Sequence, residues 1–264
     1  MDTTFDYKFA RNGITVQYCN NPTITEREIH PYHEILYCAD LNAVLYTDAR
    51  QMEIVGDCLF VIPKGYYHFF ELQNGKQFTR LKIAIPEERI RDTAASQTVA
   101  AFRRIDAVDG LTAVLLKKLC SHIREEKSAL RDFYVESAVA MLLAELGTNQ
   151  SVSAPDEVYD DRPVQQVIQY LSDNLTKDLR IETLSKQIGV SPSYIQHGFK
   201  KEMGISLHRY ITQRRMMLAR ERIARGEKPT KLYLDCGYKD YSSFYKTYTQ
   251  FFGHPPSGDH ERSI

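Results

Sequence analysis

Residues 181–204 read IETLSKQIGVSPSYIQHGFKKEMG, and their punctuation decides the carboxy-terminal fold. Ile181, Leu184 and Ile188 sit at i, i+3 and i+7, which predicts a short amphipathic helix. Gly189-Val190-Ser191 then supplies a tight turn and an N-cap, with Pro192 at the first position of the next helix. That helix runs to Gly204 and turns Ile195, Phe199 and Met203 inward. A helix, a three-residue turn containing glycine, and a second helix make a helix-turn-helix, whose second helix is shaped to enter a major groove.

A second stretch, 230–253, echoes the first. Leu232 and Cys236 carry its leading helix, Gly237-Tyr238 its turn and Asp240 its N-cap; Phe244, Tyr248, Phe251 and Phe252 mark the inner face that follows. Phe199-Lys200-Lys201 and Gly204 are answered by Tyr248-Thr249-Gln250 and Gly253. Between the units, residues 210–219 read as a long helix that fixes their separation.

These residues, in this order, resemble the AraC/XylS family of bacterial regulators. The family pattern Ser-x-x-x-Leu-x-Arg-x-Phe-Lys-x-x-x-Gly stands here from Ser191 to Gly204. Its Tyr-(Ile/Leu)-x-x-x-Arg helix stands from Tyr210 through Arg215 to Ala219, and its Gly-Phe as Gly237-Tyr238. The second recognition helix runs from Asp240 to Gly253, so the match covers about residues 165–257. Four departures stand out. His197 and Lys246 occupy the family's recognition-helix positions, and Tyr233 replaces a small alanine between two helices. The usual Ser-Pro-x-x-Tyr-Arg ending becomes Pro255-Pro256-Ser257-Gly258-Asp259, which leaves the second unit the less secure reader.

On the first recognition helix Ser193, Gln196, His197 and Lys200 fall on one face, with Lys201 beside them. Gln196 is suited to an adenine edge and His197 to guanine N7 or O6, while Lys200 and Lys201 suit phosphates. Tyr241, Ser242, Tyr245 and Lys246 are the matching positions on the second. Residue by residue, the plain alternative is a solvated helix face.

Residues 14–85 read as β-structure: the runs 14–18, 34–38, 43–47, 58–62 and 80–85 are β-branched or aromatic, with turn residues between them. The resemblance implies that 10–85 form a cupin-like β-barrel that senses a small molecule. His30-x-x-x-Glu34 and Gly56…Pro63-x-Gly65-x-x-His68 are pieces of the cupin metal pattern, with Glu28 where its first histidine would stand. A polar effector pocket using His30, Glu34, Tyr37 and His68 is preferred to a metal, and His33 should face the other way from Glu34. The many Tyr and Phe rings suit a sugar or polyol, and equally suit ordinary core filling. After Pro86, Leu111, Val114, Leu115, Leu119 and Ile123 repeat at helical spacing, as do Val135, Val139, Leu142, Leu143 and Leu146, with Gly147 expected as a C-cap. Their apolar face suits either the barrel or a second subunit.

Charge divides the chain. Residues 163–264 hold 16 Lys+Arg against 10 Asp+Glu, whereas 1–162 hold 18 against 24, so a net charge of zero conceals a basic half suited to nucleic acid. The five cysteines are scattered without a CxxC pair, which argues against a disulfide framework or zinc ribbon and suits a reducing compartment. No apolar run approaches a membrane span and the first residues lack a secretion pattern, so the expectation is a cytoplasmic protein.

The expected fold class is α+β: a cupin-like ligand-sensing barrel (1–90), a helical dimerisation segment (91–147), a linker (148–162), and an all-α double helix-turn-helix domain (163–264). The expected function is a non-enzymatic, ligand-responsive transcription regulator without metal or cofactor. Its expected partners are promoter DNA, a small-molecule effector, a second copy of the chain and RNA polymerase. Two readings stay open beside it: a metal-dependent cupin enzyme using His30, Glu34 and His68, and a protein-interaction adaptor. Activation or repression is not decided at this level.

Overall fold

The structure, a computed structural model, describes residues 6–20, 22, 29–48, 51–73, 77–91, 93–106, 108, 110–148 and 163–261. Glu28 and the expected linker beyond Thr148 lie outside the described residues. The chain divides into two compact units, 1–26 with 32–158, and 27–31 with 159–264.

In the first unit, strands β1 (Tyr7–Arg11), β2 (Ile14–Asn20), β3 (Tyr32–Thr47), β4 (Gln51–Ile62), β5 (His68–Leu72), β6 (Thr79–Pro86) and β7 (Arg103–Ile105) form one antiparallel sheet. Its order is β1-β2-β6-β3-β4-β7, with β5 also on β3. Asn12 and Gly13, both at positive φ, turn β1 into β2, as a two-residue hairpin of right-handed twist requires. The runs 34–38 and 43–47 are one strand rather than two. Asp40 at φ 60° sits in a bulge that moves the register from Cys38↔Cys58 to Leu41↔Gly56, and the Asp57 carboxylate accepts from its N–H at 3.0 Å.

Strand alternation gives the sheet two apolar faces. Val16, Ile35, Val61, Leu81 and Ile83 face the helices α2 (Gly110–His122) and α3 (Ala129–Thr148) and share one core with Leu116, Leu119, Val135, Val139 and Leu142. Leu36, Cys38, Leu45, Phe60, Ile62 and Phe70 form a second core drawn almost wholly from strands, around which the sheet curls. The short α1 (Ala95–Thr98) packs on α3. The two helices therefore close the core of the sheet, yet each keeps an outer apolar fringe: Leu111, Val114, Leu130, Phe133 and Met141 are exposed. Gly147, expected to end α3, lies inside it. Its missing side chain answers a close approach instead, since a Cβ there would stand 2.7 Å from Thr98 Oγ1.

The second unit is helical: α4 (Pro163–Asn174), α5 (Ile181–Ile188), α6 (Pro192–Met203), α7 (Leu207–Ala224), α8 (Pro229–Leu232), α9 (Tyr241–Phe252) and α10 (Pro256–Glu261). Helix α7 reaches both halves. Its Tyr210 meets Phe199 of α6 edge-on at 5.3 Å, while Met216, Ala219 and Ile223 enter a core with Leu232, Cys236, Phe244 and Tyr248. No described helix is long and apolar enough to cross a membrane.

Candidate nucleic-acid interface

The first recognition helix is set by local chemistry. Gly189 ends α5 at φ 80°, a left-handed conformation that a side chain would resist. Ser185 Oγ donates to the Val190 carbonyl at 2.6 Å, which closes the turn. Ser191 then caps α6, its hydroxyl accepting from Tyr194 N–H at 3.2 Å, and Pro192 occupies the first turn where its missing N–H costs nothing. Ile195, Phe199 and Met203 are buried, so Ser193, Gln196, His197, Lys200 and Lys201 stand exposed on the outer side. Tyr194, 55% exposed, was not among the expected contacts. It belongs to the row 194, 197, 201, and its spacing from His197 was the signal that would have included it.

In the second unit Asp240 caps α9. Its carboxylate accepts from Ser243 N–H at 2.7 Å and from Ser243 Oγ at 2.9 Å, and these bonds hold its pKa below the usual aspartate range. Ser242, Tyr245 and Lys246 are exposed on α9. Tyr241 differs: its half-buried ring lies among Tyr233, Phe244 and Tyr245, 5.9–6.1 Å away, and burial raises its pKa. Tyr233, the unusual residue between the helices, thus finds a partner in Tyr241 edge-on.

The turn before α9 is tied to α7 by Arg215, which donates to the carbonyls of Gly237, Leu175 and Lys177 at 2.9, 2.9 and 2.8 Å. At the end of the chain, Tyr248 donates to Asp259 at 2.6 Å and Arg220 pairs with the same carboxylate at 3.3 Å. Asp259 thereby anchors α10 against α7 and α9, where the expected Tyr-Arg ending is absent.

In the sheet unit, Glu34, His68, Arg80 and Lys82 are buried. Glu34 pairs across the sheet with Ile62, Lys82 with Leu36 and Arg80 with Cys38, which places all three on the enclosed face. Glu34 Oε2 lies 3.4 Å from Lys82 Nζ and 3.9 Å from His68 Nε2, and Lys82 stands 5.5 Å over the Tyr32 ring. Tyr37 is not brought to this group. It faces the helices beside Leu59 and Leu81, and donates to Asp57 at 3.1 Å; burial first, then that carboxylate, push its pKa up. His33 does face away from Glu34, with Nε2 2.7 Å from Glu87. His30 belongs with residues 27–31 to the other compact unit. The sheet therefore contributes two of the expected metal donors, Glu34 and His68. The Lys82 ammonium supplies positive charge beside the Glu34 carboxylate.

The chain matches two family models, an AraC-like ligand binding domain over residues 19–188 and a helix-turn-helix domain over 184–262. It is 30% identical over 240 residues to an HTH-type transcriptional regulator, YdiP, of Escherichia coli K12, covering 88% of this chain and 78% of that one. It is also 30% identical over 95 residues to the multiple antibiotic resistance protein MarA of the same organism, covering 35% of this chain and 74% of MarA. Among solved structures, ToxT of Vibrio cholerae aligns over 100% of this chain and 99% of its own at 12% identity, with a TM-score of 0.42.

Proposed function

The chain belongs to the AraC family of transcription regulators, and from that premise we propose how its parts divide the work. Helices α6 and α9 are the two DNA readers. Gln196 and His197 address base edges, Lys200 and Lys201 address phosphates, and Tyr194 adds a stacking surface beside them. Ser242, Tyr245 and Lys246 form the second reading face, with Tyr241 supporting it from the core. Set on α7, the two helices enter successive major grooves about 10 bp apart on one side of a promoter.

The observation that carries this reading is the repeated construction: two recognition helices, each opened by a side-chain cap, each closed by a left-handed glycine, and both packed on one shared helix. The buried Glu34, His68 and Lys82 on the enclosed face of the sheet supply the polar groups for a small effector of sugar or polyol type. The exposed fringe of α2 and α3 is the homodimer face, in a cytoplasmic protein that addresses RNA polymerase at the promoter.

Selection of bound duplexes from a random library, with the full chain at moderate salt, tests the double reader. Two enriched boxes about one helical turn apart are expected. Gln196→Ala should relax one box and Lys246→Ala the other, each mismatch being worth roughly 1–3 kcal/mol. A library without enrichment would refute the assignment. One box alone would reduce α9 to a positioning element.

A further inference from the structure

A cleft of about 820 Å³ opens in the sheet unit on the helix side, away from the enclosed polar face. Its walls are Ile14 and Ile85 from the sheet, Ile90 beyond β6, and Val139, Ala140 and Leu143 from α3. The concavity has a cause in the sequence of α3. Ala140, Ala144 and Gly147 follow one another at helical spacing, so this side of the helix carries little bulk and leaves a hollow beside the segment 89–98, which it touches closely only where Gly147 meets Thr98. The volume is in the range of small-molecule pockets, roughly 300–1,000 Å³.

Three charged side chains border the cleft: Arg89, Arg103 and Glu136. Glu136 is already answered, accepting from Asn12 Nδ2 at 2.7 Å and lying 3.5 Å from Arg11. Arg103 is not. Its guanidinium donates to two neutral carbonyls, Leu146 at 2.8 Å and Thr98 at 2.6 Å, and its Nε is shielded from solvent without a hydrogen-bond partner among the described residues. No ion pair joins Arg89 or Arg103 to a carboxylate among the described residues. Two cations thus face a cleft whose one acid is spoken for.

We propose that this cleft binds an amphipathic carboxylate, with the anionic head at Arg103 and Arg89 and the hydrocarbon body along Ile85, Ile90 and α3. The site is separate from the polar effector pocket on the other face of the sheet. A free inorganic anion would leave the apolar walls unused, and a sugar would bury hydroxyls against isoleucine and leucine without partners. A carboxylate with an apolar tail satisfies both parts of the lining, because a charge-assisted bond to a half-buried guanidinium is stronger than a neutral one.

Calorimetric titration of the full chain with octanoate, decanoate, 1-octanol and inorganic phosphate, all below aggregation, tests the site. Octanoate should bind saturably at one per chain, decanoate about fourfold tighter per added methylene, and 1-octanol at least tenfold more weakly than octanoate. Phosphate should give no saturable heat. Arg89→Gln, at the exposed rim, and Arg103→Gln should bring octanoate toward octanol and leave octanol unchanged. Ala140→Trp, a solvent-facing position, should abolish binding of both. Equal affinity for octanoate and octanol would overturn the charge assignment. Octanoate binding that survives Ala140→Trp, or no binding at all, would overturn the site. Selection of duplexes by the same variants keeps the outcome distinct from the DNA-reading assignment, which none of these residues touches.

Discussion

Arg215 is the side chain on which the geometry of the second reader depends, and its replacement by alanine gives the sharpest prediction. Its three bonds join α7 to the end of α4 at Leu175 and Lys177 and to the Gly237 turn before α9. A hydrogen bond from a charged donor is worth about 1.5–3 kcal/mol when shielded and far less at the surface. Two of the three are half-buried and the Lys177 bond is exposed, so Arg215→Ala should lower stability by about 2–4 kcal/mol. Arg215→Lys keeps the charge but presents one point donor, and should recover only a minor part of the loss. Gly237 adds a coupling. It sits at φ 77°, and a Cβ there would come within 2.5 Å of the Arg215 guanidinium carbon. Gly237→Ala alone should therefore suffer both backbone strain, about 1–2 kcal/mol, and this collision. In an Arg215→Ala background only the strain remains, and the double-mutant cycle should show the two changes to be less than additive. Urea unfolding followed by circular dichroism measures each midpoint, with unchanged slopes as the control. An Arg215→Ala midpoint equivalent to less than about 0.5 kcal/mol of loss would refute the staple, and strict additivity would refute the contact with Gly237.

Tyr248→Phe should cost about 1–2 kcal/mol, because it removes the hydroxyl bonded to buried Asp259. Burial and that carboxylate raise the Tyr248 pKa, so its contribution holds below about pH 10 and fades as pH rises above the ordinary tyrosine value. The stability gap between wild type and Tyr248→Phe, followed by urea midpoints from neutral to alkaline pH, should narrow on that side. Asp240 works in the opposite sense. Its folded pKa is lowered, so its stabilisation is present above about pH 4 and is lost as pH falls through the lower folded value. Asp240→Asn should flatten that acid limb in midpoints taken between neutral and acid pH. Phe133→Lys, at a position 66% exposed on α3, should dissociate the proposed homodimer in analytical ultracentrifugation and remove the protein-concentration dependence of the unfolding midpoint that the dimer confers.

What the sequence displayed and what it hid follow the range of the interactions. Ser191, Asp240, Gly189 and Gly204 act on their own neighbours, so caps and turns of both units were readable as a string. Helix α3 was readable as a helix, but the reason for Gly147 was not, since Thr98 reaches it from far along the chain. The bulge at Asp40 made one strand look like two, because a polar turn-like residue and a bulge residue are alike in composition. Tyr37 and Glu34 were grouped by proximity in sequence, although an odd spacing on a strand sends them to opposite faces. The carboxylate cleft was not legible at all: Ile14, Ile85, Arg103 and Glu136 share no period and meet only through folding. The Asn12-Gly13 hairpin was a signal present in the sequence and passed over.

The two departures that made the second reader look insecure concern its frame, and the frame is repaired. Tyr233 is too large for an alanine site, but Tyr241 accepts it edge-on at 5.9 Å. The missing Tyr-Arg is replaced by Asp259, which draws Tyr248 and Arg220 to one carboxylate and fixes the end of α10. With cap, turn staple and closing contact all present, α9 is held as firmly as α6 by local chemistry. What separates the two readers is therefore what they offer to DNA. Helix α6 exposes Gln196, His197 and two lysines, whereas α9 exposes Ser242, Tyr245 and Lys246, with Tyr241 drawn into the core. On the proposed reading, α6 supplies more of the phosphate charge and more base-edge donors, so loss of Lys200 and Lys201 should flatten the salt dependence of binding more than loss of Lys246. On that reading the second reader is the weaker in side-chain chemistry, while the contacts that frame it are present.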